Sequence, residues 1–420
     1  MDIIKDLKKR GLVHQITDEE GLRQQLNNGP VTLYCGFDPT ADSLHVGNLL
    51  AILTLKRFQV AGHRPIALVG GGTGLIGDPS GRSSERSLNE DNVVEEWANK
   101  IKEQLSKLLD FSDKENGAKL VNNYDWLSGM RVIEFLRDVG KHFGVNYMLA
   151  KESVEARIER GISFTEFSYM ILQSWDFLNL YREHGCSLQI GGSDQWGNIT
   201  AGLELIRKTN ATEEDKAFGL TIPLITKADG TKFGKTAGGA IWLDPEKTTP
   251  YEFYQFWINA DDRDVLRFLH FFTFLSEEEM AILEKQVEER PEERAAQKRL
   301  AEEVTRLVHG EEALAQAKKI TESLFSGNLA DLTASDIRVG FKDVPSVKIE
   351  DSEMNLVDLL VESKIVSSKR QAREDIQNGA IYINGERNQD FQHVWNDGDR
   401  IEGMYTIIRR GKKKYFLIEH

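Results

Sequence analysis

The stretch 31-VTLYCGFDPTADSLHVGN-48 decides the fold of this 420-residue chain. It opens with an apolar, β-rich run that predicts a buried strand. Residues 44–62 then show the apolar spacing of a helix, with Ser43 as a possible N-cap and Gly62 as the end. A strand that passes through a short polar loop into a helix is the repeating unit of an α/β sheet.

Strands that end in glycines recur further along the chain. PIALVGG at 65–71 and SLQIGG at 187–192 have this form, and the helical segment NITAGLELIRKT follows at 198–209. Alternation of strand and helix predicts a mostly parallel sheet covered by helices. The predicted fold class is therefore α/β: a Rossmann-like parallel-sheet domain, then an all-α domain, then a small α+β domain.

The chain is predicted to divide into four segments. Residues 1–247 form the parallel-sheet domain, and residues 248–327 form one helix after another. Residues 328–350 follow no clear periodicity and are predicted as a linker. Residues 351–420 form the small α+β domain.

The composition is that of an ordinary globular protein, with 40% hydrophobic and 29% charged residues. The first ten residues, MDIIKDLKKR, are too charged for a signal peptide, and no apolar run approaches the ~20 residues of a membrane helix. The two cysteines, Cys35 and Cys186, are far apart in sequence, which argues against a disulfide framework or a cysteine-based metal site. We therefore expect a cytoplasmic protein.

The net charge of −14 is unevenly distributed, and local clusters matter more than the sum for binding phosphates. Residues 351–420 contain 11 Lys and Arg against 12 Asp and Glu. Most of these basic residues lie in two clusters, which suit an RNA backbone; a solvated basic surface is the alternative. The clusters comprise Lys369, Arg370, Arg373, Arg409, Arg410, Lys412, Lys413 and Lys414.

The polar loop after the first strand carries Asp38, Thr40, His45 and Asn48. His45 and Asn48 are three residues apart at a helix start and so share a face. The first turn of a helix presents free N–H groups and a partial positive charge, which suit a phosphate. Gly47 lets a ligand approach closely. The alternative is a plain turn followed by a histidine at a helix end.

A second glycine-rich segment is GGGTGLIGDPSG at 70–81. Gly72 to Gly77 match the G-x-G-x-x-G pattern of dinucleotide-binding proteins, but the DPSG that follows does not continue a helix well. We favour a glycine-lined wall against a nucleotide or an amino acid, with Asp78 as the partner of a cation.

Three polar residues lie on one face of an apolar helical segment at 161–180. Tyr169, Gln173 and Asp176 stand at i, i+4 and i+7. Buried Gln and Asp side chains are costly unless they are paired. We therefore favour a lined pocket over a solvent-facing stripe.

Two further loops carry candidate ligand-binding residues. QIGGSDQWGN, which begins at Gln189, follows a strand and carries Asp194 and Gln195, at the kind of strand end where parallel sheets bind ligands. Lys232 and Lys235 stand three apart on a glycine-rich loop and can clamp phosphates. The alternatives are a tight turn with incidental polar residues and a solvated lysine loop.

Together, and in this order, these motifs resemble those of the bacterial tyrosyl-tRNA synthetases, a family of class I aminoacyl-tRNA synthetases. The residues from His45 to Asn48, HVGN, are similar to the His-Ile-Gly-His signature, and 232-KFGKT-236 is similar to the Lys-Met-Ser-Lys-Ser loop. The tail resembles an S4-type RNA-binding domain, so the resemblance covers essentially the whole chain. Two departures are Asn48, in place of the second histidine, and Arg82, where some relatives have lysine.

The resemblance implies a role for each matching residue. The implied catalytic residues are His45, Asn48, Thr40, Lys232, Lys235, Arg82 and Arg86. The implied tyrosine-binding residues are Tyr34, Asp78, Tyr169, Gln173, Asp176 and Gln189. The implied ATP-binding residues are Cys35, Gly36, Asp38, Thr40, His45, Gly47, Asn48, Gly192, Asp194, Gln195, Lys232, Lys235 and Thr236.

The resemblance also implies the reaction and the partners. L-tyrosine is activated with ATP to tyrosyl-adenylate and passed to the 3′ end of tRNA(Tyr), with release of AMP and diphosphate. ATP is a substrate that brings Mg²⁺, and no tightly bound metal or organic cofactor is expected. Residues 131–149 are apolar and aromatic and are expected to pair two subunits through the catalytic domain; their burial within one subunit is the alternative. No membrane association is expected.

Three rival hypotheses stay open at this point. An adenylate-forming ligase that does not charge tRNA would need neither the helical segment nor the basic tail. A non-catalytic RNA-binding protein would not need His45, Lys232, Lys235 and Asp78. Tryptophan is the nearest alternative substrate within the class.

Overall fold

The computed structural model describes residues 2–82, 84–85, 88–159, 161–209, 216–231, 233–236, 239–342, 344–412 and 414–420. The chain forms two compact units. The first comprises Met1–Lys247 and Asn259–Leu300, and the second comprises Thr248–Ile258 and Ala301–His420.

The strands and helices of the described residues are numbered in chain order. The strands are β1 (Gln15–Ile16), β2 (Thr32–Phe37), β3 (Arg64–Val69), β4 (Lys119–Asn122), β5 (Cys186–Gly192), β6 (Phe218–Ile222), β7 (Lys235–Thr236), β8 (Gly239–Ala240), β9 (Ser346–Lys348), β10 (Met354–Asn355), β11 (Ile381–Ile383), β12 (Glu386–Asn388), β13 (Val394–Trp395), β14 (Tyr405–Arg410) and β15 (Lys414–Glu419). The α-helices are α1 (Ile3–Lys9), α2 (Glu19–Asn28), α3 (Val46–Val60), α4 (Asp91–Leu108), α5 (Tyr124–Leu127), α6 (Val132–Glu134), α7 (Val145–Leu149), α8 (Glu152–Ile158), α9 (Phe164–His184), α10 (Trp196–Thr209), α11 (Pro250–Ile258), α12 (Asp262–Phe272), α13 (Glu277–Glu289), α14 (Ala295–His309), α15 (Glu311–Ser326), α16 (Ala334–Gly340), α17 (Leu356–Glu362) and α18 (Lys369–Gln377).

The first unit is built on a six-stranded sheet with the order β1-β6-β5-β2-β3-β4. Only the β1–β6 pair is antiparallel, which confirms the predicted parallel sheet. The chain runs outward from β2 through β3 to β4 and then returns to the other side of β2 as β5. The strand order therefore reverses between β2 and β5, and a crevice at the carboxyl ends of these strands is where such sheets bind ligands.

Helix α3 begins directly above this crevice, but its N-cap differs from the predicted one. His45 is the N-cap, and its Nδ1 accepts a hydrogen bond from the backbone N–H of Gly47 at 3.0 Å. Ser43 lies two residues before the N-cap, where its hydroxyl donates to the carbonyl of Leu44 at 2.7 Å and accepts from Gln104 Nε2 at 3.0 Å. The predicted end is confirmed, since Gly62 adopts a positive φ of 94° just after the helix.

Helix α9 is held at its N-terminus by a buried ion pair. Arg157 of α8 donates to Glu166 at 2.8 Å, and the two side chains are 3% and 1% exposed. Arg157 also donates to the carbonyl of Gly161 at 3.3 Å. This pair fixes where α9 starts, and α9 carries the polar stripe predicted to line a pocket.

The second unit combines helices with a five-stranded sheet of order β12-β11-β14-β15-β9. Apolar residues of α15 and α16 form a core with this sheet, while α17 and α18 pack into another core that includes residues of β11 and β14. The helical segment and the C-terminal α+β unit agree with the predicted fold class.

The interval 328–350, predicted as an irregular linker, contains α16 and β9. Leu329, Leu332, Ile337 and Phe341 are buried in the second unit. Helix α16 has a complete capping box between Thr333 and Asp336. Polar residues separate these apolar residues in the sequence, so no regular apolar period predicted that they would be buried together. The division into four domains stays a prediction.

Within the described ranges, no helix combines the length and the apolar character that crossing a membrane requires.

Replacing Glu166 with Ala should strongly destabilise the first unit, because it leaves the Arg157 guanidinium buried without its partner. Loss of one member of a buried pair costs about 3–5 kcal/mol, so the urea midpoint should fall markedly. Glu155→Ala, at an exposed position of the neighbouring helix α8, is the matched control and should change little. Equal midpoints for the two variants would contradict the anchoring role of the pair.

Candidate active site

The carboxyl ends of β2, β3 and β5 open into one cavity of about 630 Å³. It lies at the point where the strand order reverses, as expected for a parallel sheet. The structure brings most of the sequence-predicted residues to it. Those that line the cavity are Tyr34, Cys35, Gly36, Asp38, Thr40, His45, Gly47, Asn48, Asp78, Arg82, Tyr169, Gln173, Asp176, Gln189, Gly192, Asp194 and Gln195.

Asp176 is the most deeply held acidic group of the cavity. It is 2% exposed, and each of its carboxylate oxygens accepts one hydrogen bond from a neighbouring side chain. Asn123 Nδ2 donates to Oδ2 at 2.9 Å, and Trp126 Nε1 donates to Oδ1 at 2.8 Å. The predicted stripe on α9 therefore faces a lined pocket rather than solvent.

A chain of hydrogen bonds leads from Asp176 to a second acid. Asn123 Nδ2 also donates to Thr73 Oγ1 at 2.8 Å, and Thr73 Oγ1 donates to Asp38 Oδ1 at 2.7 Å. The hydroxyl of Tyr169 donates to the other oxygen of Asp38 at 2.7 Å. These five residues form one hydrogen-bonded network, in which all but Asp38 are buried and each carboxyl group is held by donors.

Two buried polar atoms next to this network lack a partner among the described residues. They are the hydroxyl oxygen of Tyr34 and Oε1 of Gln189. Tyr34 is 2% exposed, and both side chains line the cavity. A buried hydroxyl without a partner costs about 1–3 kcal/mol, so it is the group that a polar ligand would satisfy.

Burial also shifts the acid–base properties of these groups. It raises the pKa of Asp176 to about 8, although the hydrogen bonds from Asn123 and Trp126 favour the ionised carboxylate. Burial, reinforced by the nearby Asp176 charge, raises the pKa of Tyr34 well above its usual value. Burial and the adjoining Asp38 carboxylate do the same to the pKa of Tyr169. Both tyrosine hydroxyls therefore keep their protons at neutral pH.

A second polar cluster surrounds Asp78 at the wall of the cavity. Gln195 Nε2 donates to Asp78 at 2.7 Å, and the backbone N–H of Ser80 donates to it at 2.9 Å. Asn198 is 2% exposed and donates to Gln173 at 3.0 Å and to Gln195 at 3.2 Å. The carboxyl group of Asp78 and the side-chain amide oxygen of Gln173 are thus both held as acceptors, an arrangement that suits the binding of a cationic group of a ligand.

Asp194 lies close to this cluster. Burial, followed by repulsion from the Asp78 carboxylate, raises its pKa. Cys35 is buried, and burial raises the pKa of its thiol to about 12, so it is a neutral thiol at physiological pH. Cys186 is also a free, buried thiol.

His45 presents a defined nitrogen to the cavity. Its Nδ1 accepts from the Gly47 N–H, so Nδ1 is unprotonated and Nε2 carries the proton of the neutral ring. Burial and the nearby Lys235 ammonium group lower the pKa of His45, which favours that neutral form. His45 therefore acts as a hydrogen-bond donor through Nε2, next to the N-terminus of α3.

Asn48 is oriented by the same helix cap. Its Oδ1 accepts a hydrogen bond from the backbone N–H of His45 at 3.1 Å, completing a capping box. Because the oxygen is engaged, the Nδ2 amide is the side of Asn48 available to a ligand in the cavity.

At two glycine positions near the cavity, neighbouring side chains leave no room for a Cβ atom. A Cβ on Gly47 would lie 2.6 Å from Cε1 of His45, so only glycine allows the ring to fold over the helix start. A Cβ on Gly70 would collide with Asp38 and Thr73. The space next to Gly70 is thus occupied by Asp38 and Thr73, so Gly70 does not face the ligand. This corrects the prediction that the GGG stretch forms a glycine-lined wall against a ligand.

The G-x-G-x-x-G pattern at Gly72 to Gly77 does not bind a dinucleotide in the usual way, because it opens a 3₁₀ turn at Thr73–Leu75 and no α-helix. Asp78, which follows, lines the cavity as predicted.

The lysine loop borders a second cleft of about 250 Å³ that shares Asp38, Thr40, His45 and Asn48 with the main cavity. Lys235 lines this cleft. Lys232 and Arg86 lie outside the described residues, and for Thr236 only the backbone, in β7, is described.

The predicted basic clusters both lie in the second unit. Arg370 and Arg373 are exposed on α18, and Lys412 and Lys414 are exposed at the β14–β15 turn. The backbone N–H of Gly411 in that turn donates to the carbonyl of Ala380 just beyond α18 at 2.7 Å. The β14–β15 turn therefore lies next to the segment that follows α18.

Three members of these clusters are already engaged. Arg410 donates to Asp375 at 2.8 Å and to the carbonyl of Ile365 at 3.0 Å, so it supports the fold. Lys369 pairs with Asp358 at 2.5 Å. Arg409 lies over the ring of Tyr382, with its guanidinium carbon 3.6 Å from the ring centroid. Lys413 lies outside the described residues.

Several residues that shape the cavity were not predicted from the sequence. Asn123 and Trp126 follow β4 directly, and the Asn-Asn pair after KLV was a signal for the first of them. The other three lie inside the two glycine-rich segments GGGTGLIGDPSG and QIGGSDQWGN. The missed residues are Thr73, Ser80, Asn123, Trp126 and Asn198.

Two family models match this chain. Residues 26–326 match the model described as tRNA synthetases class I (W and Y), and residues 336–418 match the model described as Tyrosine–tRNA ligase SYY-like C-terminal domain.

Curated relatives match over the full length. The tyrosine–tRNA ligase of Bacillus caldotenax is 69% identical over 420 residues, covering 100% of both chains. Tyrosine–tRNA ligase 1 of Bacillus subtilis (strain 168) is 66% identical, covering 100% of this chain and 99% of the relative.

Among solved structures, a C-terminally truncated mitochondrial tyrosyl-tRNA synthetase of Aspergillus nidulans is similar, with a TM-score of 0.69 and 32% identity. The match covers 77% of this chain and 94% of that one. A tyrosyl-tRNA synthetase of Archaeoglobus fulgidus complexed with L-tyrosine shares the fold at a TM-score of 0.55 and 17% identity.

Replacing Asp176 with Asn should remove a pH dependence of stability. The folded protein holds the Asp176 proton up to about pH 8, whereas the unfolded chain releases it near the ordinary value of 3.8. Between these values each rise of one pH unit lowers the free energy of unfolding of the unmodified protein by about 1.4 kcal/mol. The variant should therefore gain stability relative to the unmodified protein as the pH rises toward 8. Urea midpoints that run parallel from pH 5 to 9 would contradict this.

Proposed function

This chain belongs to the tyrosyl-tRNA synthetases of class I, and on that basis we propose how its cavity performs their reaction. The chain activates tyrosine with ATP and transfers it to tRNA, with release of AMP and diphosphate. The observation that carries the proposed roles is the buried hydroxyl of Tyr34, unpartnered among the described residues, in the same cavity as the buried carboxylate of Asp176.

Tyr34 and Asp176 are proposed to bind the phenol of tyrosine. The Tyr34 hydroxyl donates to the phenol oxygen, and the phenol O–H donates to an oxygen of the Asp176 carboxyl group. Support comes from the hydrogen bonds of Asn123 and Trp126, which leave room for one more donor at this carboxylate and fix its orientation. An indole offers an N–H but no oxygen to accept from Tyr34, so the pair favours tyrosine over tryptophan. Gln189 completes the tyrosine-binding set.

The ammonium group of tyrosine is proposed to lie between Asp78, Tyr169 and Gln173. Each offers an oxygen on the cavity wall, and Asp78 supplies a negative charge. The bonds from Gln195 and Asn198 hold these acceptors in place. Positioning both ends of the amino acid directs its carboxylate toward the phosphate-binding side of the cavity.

ATP is proposed to lie across the N-terminus of α3. Thr40, the Nε2–H of His45 and the amide of Asn48 would donate to its phosphates, beside the partial positive charge of the helix N-terminus. The ribose and the activated tyrosine would lie along the ends of β2 and β5. The residues proposed there are Cys35, Gly36, Asp38, Gly47, Gly192, Asp194 and Gln195.

The chemistry needs no activated nucleophile, because the carboxylate of tyrosine attacks the α-phosphate directly. What it needs is alignment and stabilisation of the charge that spreads over the phosphate oxygens. Lys232 and Lys235, assisted by Arg82, Arg86 and Thr236, are proposed to supply that stabilisation. Mg²⁺ bound to ATP would neutralise the phosphates further.

The tRNA is proposed to contact the exposed basic residues of the C-terminal unit. Arg370, Arg373, Lys412 and Lys414 are available for its phosphates, with Lys369, Arg409 and Lys413 nearby in sequence. Arg410 is better explained as structural because Asp375 and the Ile365 carbonyl hold it. We also propose that the protein works in the cytoplasm.

Replacing Asp176 with Ala should nearly abolish tyrosine-dependent ATP–pyrophosphate exchange, and Tyr34→Phe should reduce the preference for tyrosine over phenylalanine about tenfold. A site that hydrogen-bonds a substrate hydroxyl rejects an analogue without it by ~10⁴–10⁵-fold, and the tyrosyl enzymes themselves are the standard example. Tyr124→Phe makes the same change at an exposed position outside the cavity and should have no effect. Near-normal exchange with Asp176→Ala would overturn the proposed phenol site.

A homodimer is proposed to form through the catalytic domain. Within and next to the predicted segment 131–149, large apolar side chains are exposed: Val132 is 70% exposed, Ile133 74% and Val145 62%. Phe164, at the start of α9, is 77% exposed. A cluster of this kind is typical of an interface between subunits.

Ile133→Asp should convert the dimer to a monomer, because the new charge would be buried without a partner at the interface. Sedimentation at micromolar concentration should give a dimer for the unmodified protein. Ile282→Asp is the matched control, since Ile282 is 59% exposed on α13 and lies outside the apolar cluster. A monomeric unmodified protein, or a dimeric Ile133→Asp variant, would contradict the proposal.

A further inference from the structure

Helix α12 presents one face to the loop that carries the two lysines. Asp264, Arg267, Phe268 and Phe272 recur three and four residues apart, so they lie on the same side of the helix. Each of them contacts the segment 226–233 or is in the same aromatic cluster as its last residue.

At one end of this face, two charged side chains hold the start of the loop. Asp264 is only 2% exposed. One of its oxygens accepts from the backbone N–H of Ala228 at 2.9 Å, and the other accepts from Arg267 Nη2 at 2.6 Å. The same nitrogen of Arg267 donates to the carbonyl of Thr226 at 2.5 Å. The backbone on both sides of Lys227 is thus fixed to α12.

The next residues form a tight turn, whose hydrogen bonds connect the fixed backbone at Lys227 to Gly230 and Thr231. The backbone N–H of Gly230 donates to the carbonyl of Lys227 at 2.9 Å, and the N–H of Lys227 donates to the carbonyl of Thr231 at 3.2 Å. The turn ends one residue before Lys232 in the sequence.

At the other end of the face, an aromatic contact holds the chain after Lys232. The ring of Phe233 is stacked on Phe272, with centroids 5.4 Å apart and planes 15° apart. It also meets the edge of Phe268 at 5.1 Å. The segment is therefore attached to α12 both before and after the first lysine, and Lys235 follows two residues later.

Helix α12 is in turn attached to α3, the helix that begins at His45. Arg57 of α3 is 4% exposed and donates to the carbonyl of Thr273 at 2.5 Å and to that of His270 at 3.3 Å. These carbonyls lie at the C-terminal end of α12, where the helix leaves its acceptors unpaired and partly negative. The two phosphate-binding elements proposed above thus share one support.

An acid in the first turn of a helix often does no more than interact with the helix dipole in solvent. Asp264 differs, because it is buried, one of its oxygens binds the loop at Ala228, and the other binds Arg267, which itself donates to the loop. The capping of α12 is supplied by Asp261, whose side chain accepts from Arg263.

We propose that Asp264 and Arg267 are positioning residues, which hold the 226–233 segment so that Lys232 and Lys235 meet the phosphates of ATP in the transition state. This proposal rests on the role proposed above for the two lysines.

Asp264→Ala should lower kcat for ATP–pyrophosphate exchange about tenfold, since small misplacements of catalytic groups have effects of this size or larger. The KM for tyrosine should stay within about twofold, because the substitution removes none of the groups proposed to bind the amino acid. The KM for pyrophosphate in the reverse reaction should rise. Active-site titration with tyrosine and ATP should still give the full number of sites. Arg267→Ala should show the same pattern, and it decides the question if Asp264→Ala does not fold.

Two further variants complete the experiment. Arg263→Ala removes an exposed arginine of the same helix that pairs with Asp261, and it should leave kcat unchanged. Combining Asp264→Ala with Lys235→Ala should cost much less than the product of the two single effects, because both act through the same lysine loop.

Several outcomes would overturn the proposal: an unchanged kcat, a loss of titratable sites, a raised KM for tyrosine alone, or fully multiplicative effects in the double variant. If Lys235→Ala itself keeps full kcat, the role of the lysines fails. If Lys235→Ala loses activity and Asp264→Ala does not, only the positioning role fails.

Discussion

The buried carboxylate of Asp176 is the constraint on which the rest of the site depends. A carboxyl group taken out of water must be met by fixed donors, and Asn123 and Trp126, which follow β4, supply them. Asn123 also donates to the hydroxyl of Thr73, and this hydroxyl donates to Asp38. These hydrogen bonds connect the ends of three strands with one face of α9. The residues that line the cavity are therefore held in place by the same contacts that hold the helix against the sheet.

The catalytic strategy follows from the chemistry of the substrate. A carboxylate is already a nucleophile, so the protein has to align two substrates and stabilise charge on phosphate oxygens. The sheet edge holds the amino acid in a preformed pocket. The N-terminus of α3 and the lysine loop are proposed to bind the phosphates. Helix α12 contacts both elements, α3 through Arg57 and the loop through Asp264.

The sequence predicted the parallel sheet, the polar face of α9 and most residues of the cavity, because these depend on local periodicity and on motifs at strand ends. It could not predict what depends on contacts distant in the chain. Asn123 meets Asp176 across 53 positions, and the Gly70 stretch is filled by side chains from another strand. Ser43 resembles an N-cap locally, but its hydroxyl is engaged elsewhere. The full-length match to tyrosine–tRNA ligases, with the matching C-terminal domain, excludes the rival hypotheses of a free-standing adenylating enzyme and of a non-catalytic RNA-binding protein.

Recognition of the phenol of tyrosine by the Tyr34 hydroxyl and the Asp176 carboxyl group together can be observed in a crystal structure with bound L-tyrosine. We expect a phenol oxygen at ~2.7 Å from both the Tyr34 hydroxyl and one Asp176 oxygen, with the bonds from Asn123 and Trp126 retained. A phenol oxygen that contacts neither group, or an Asp176 turned away from Asn123 and Trp126 to reach it, would show that these two residues do not recognise the phenol.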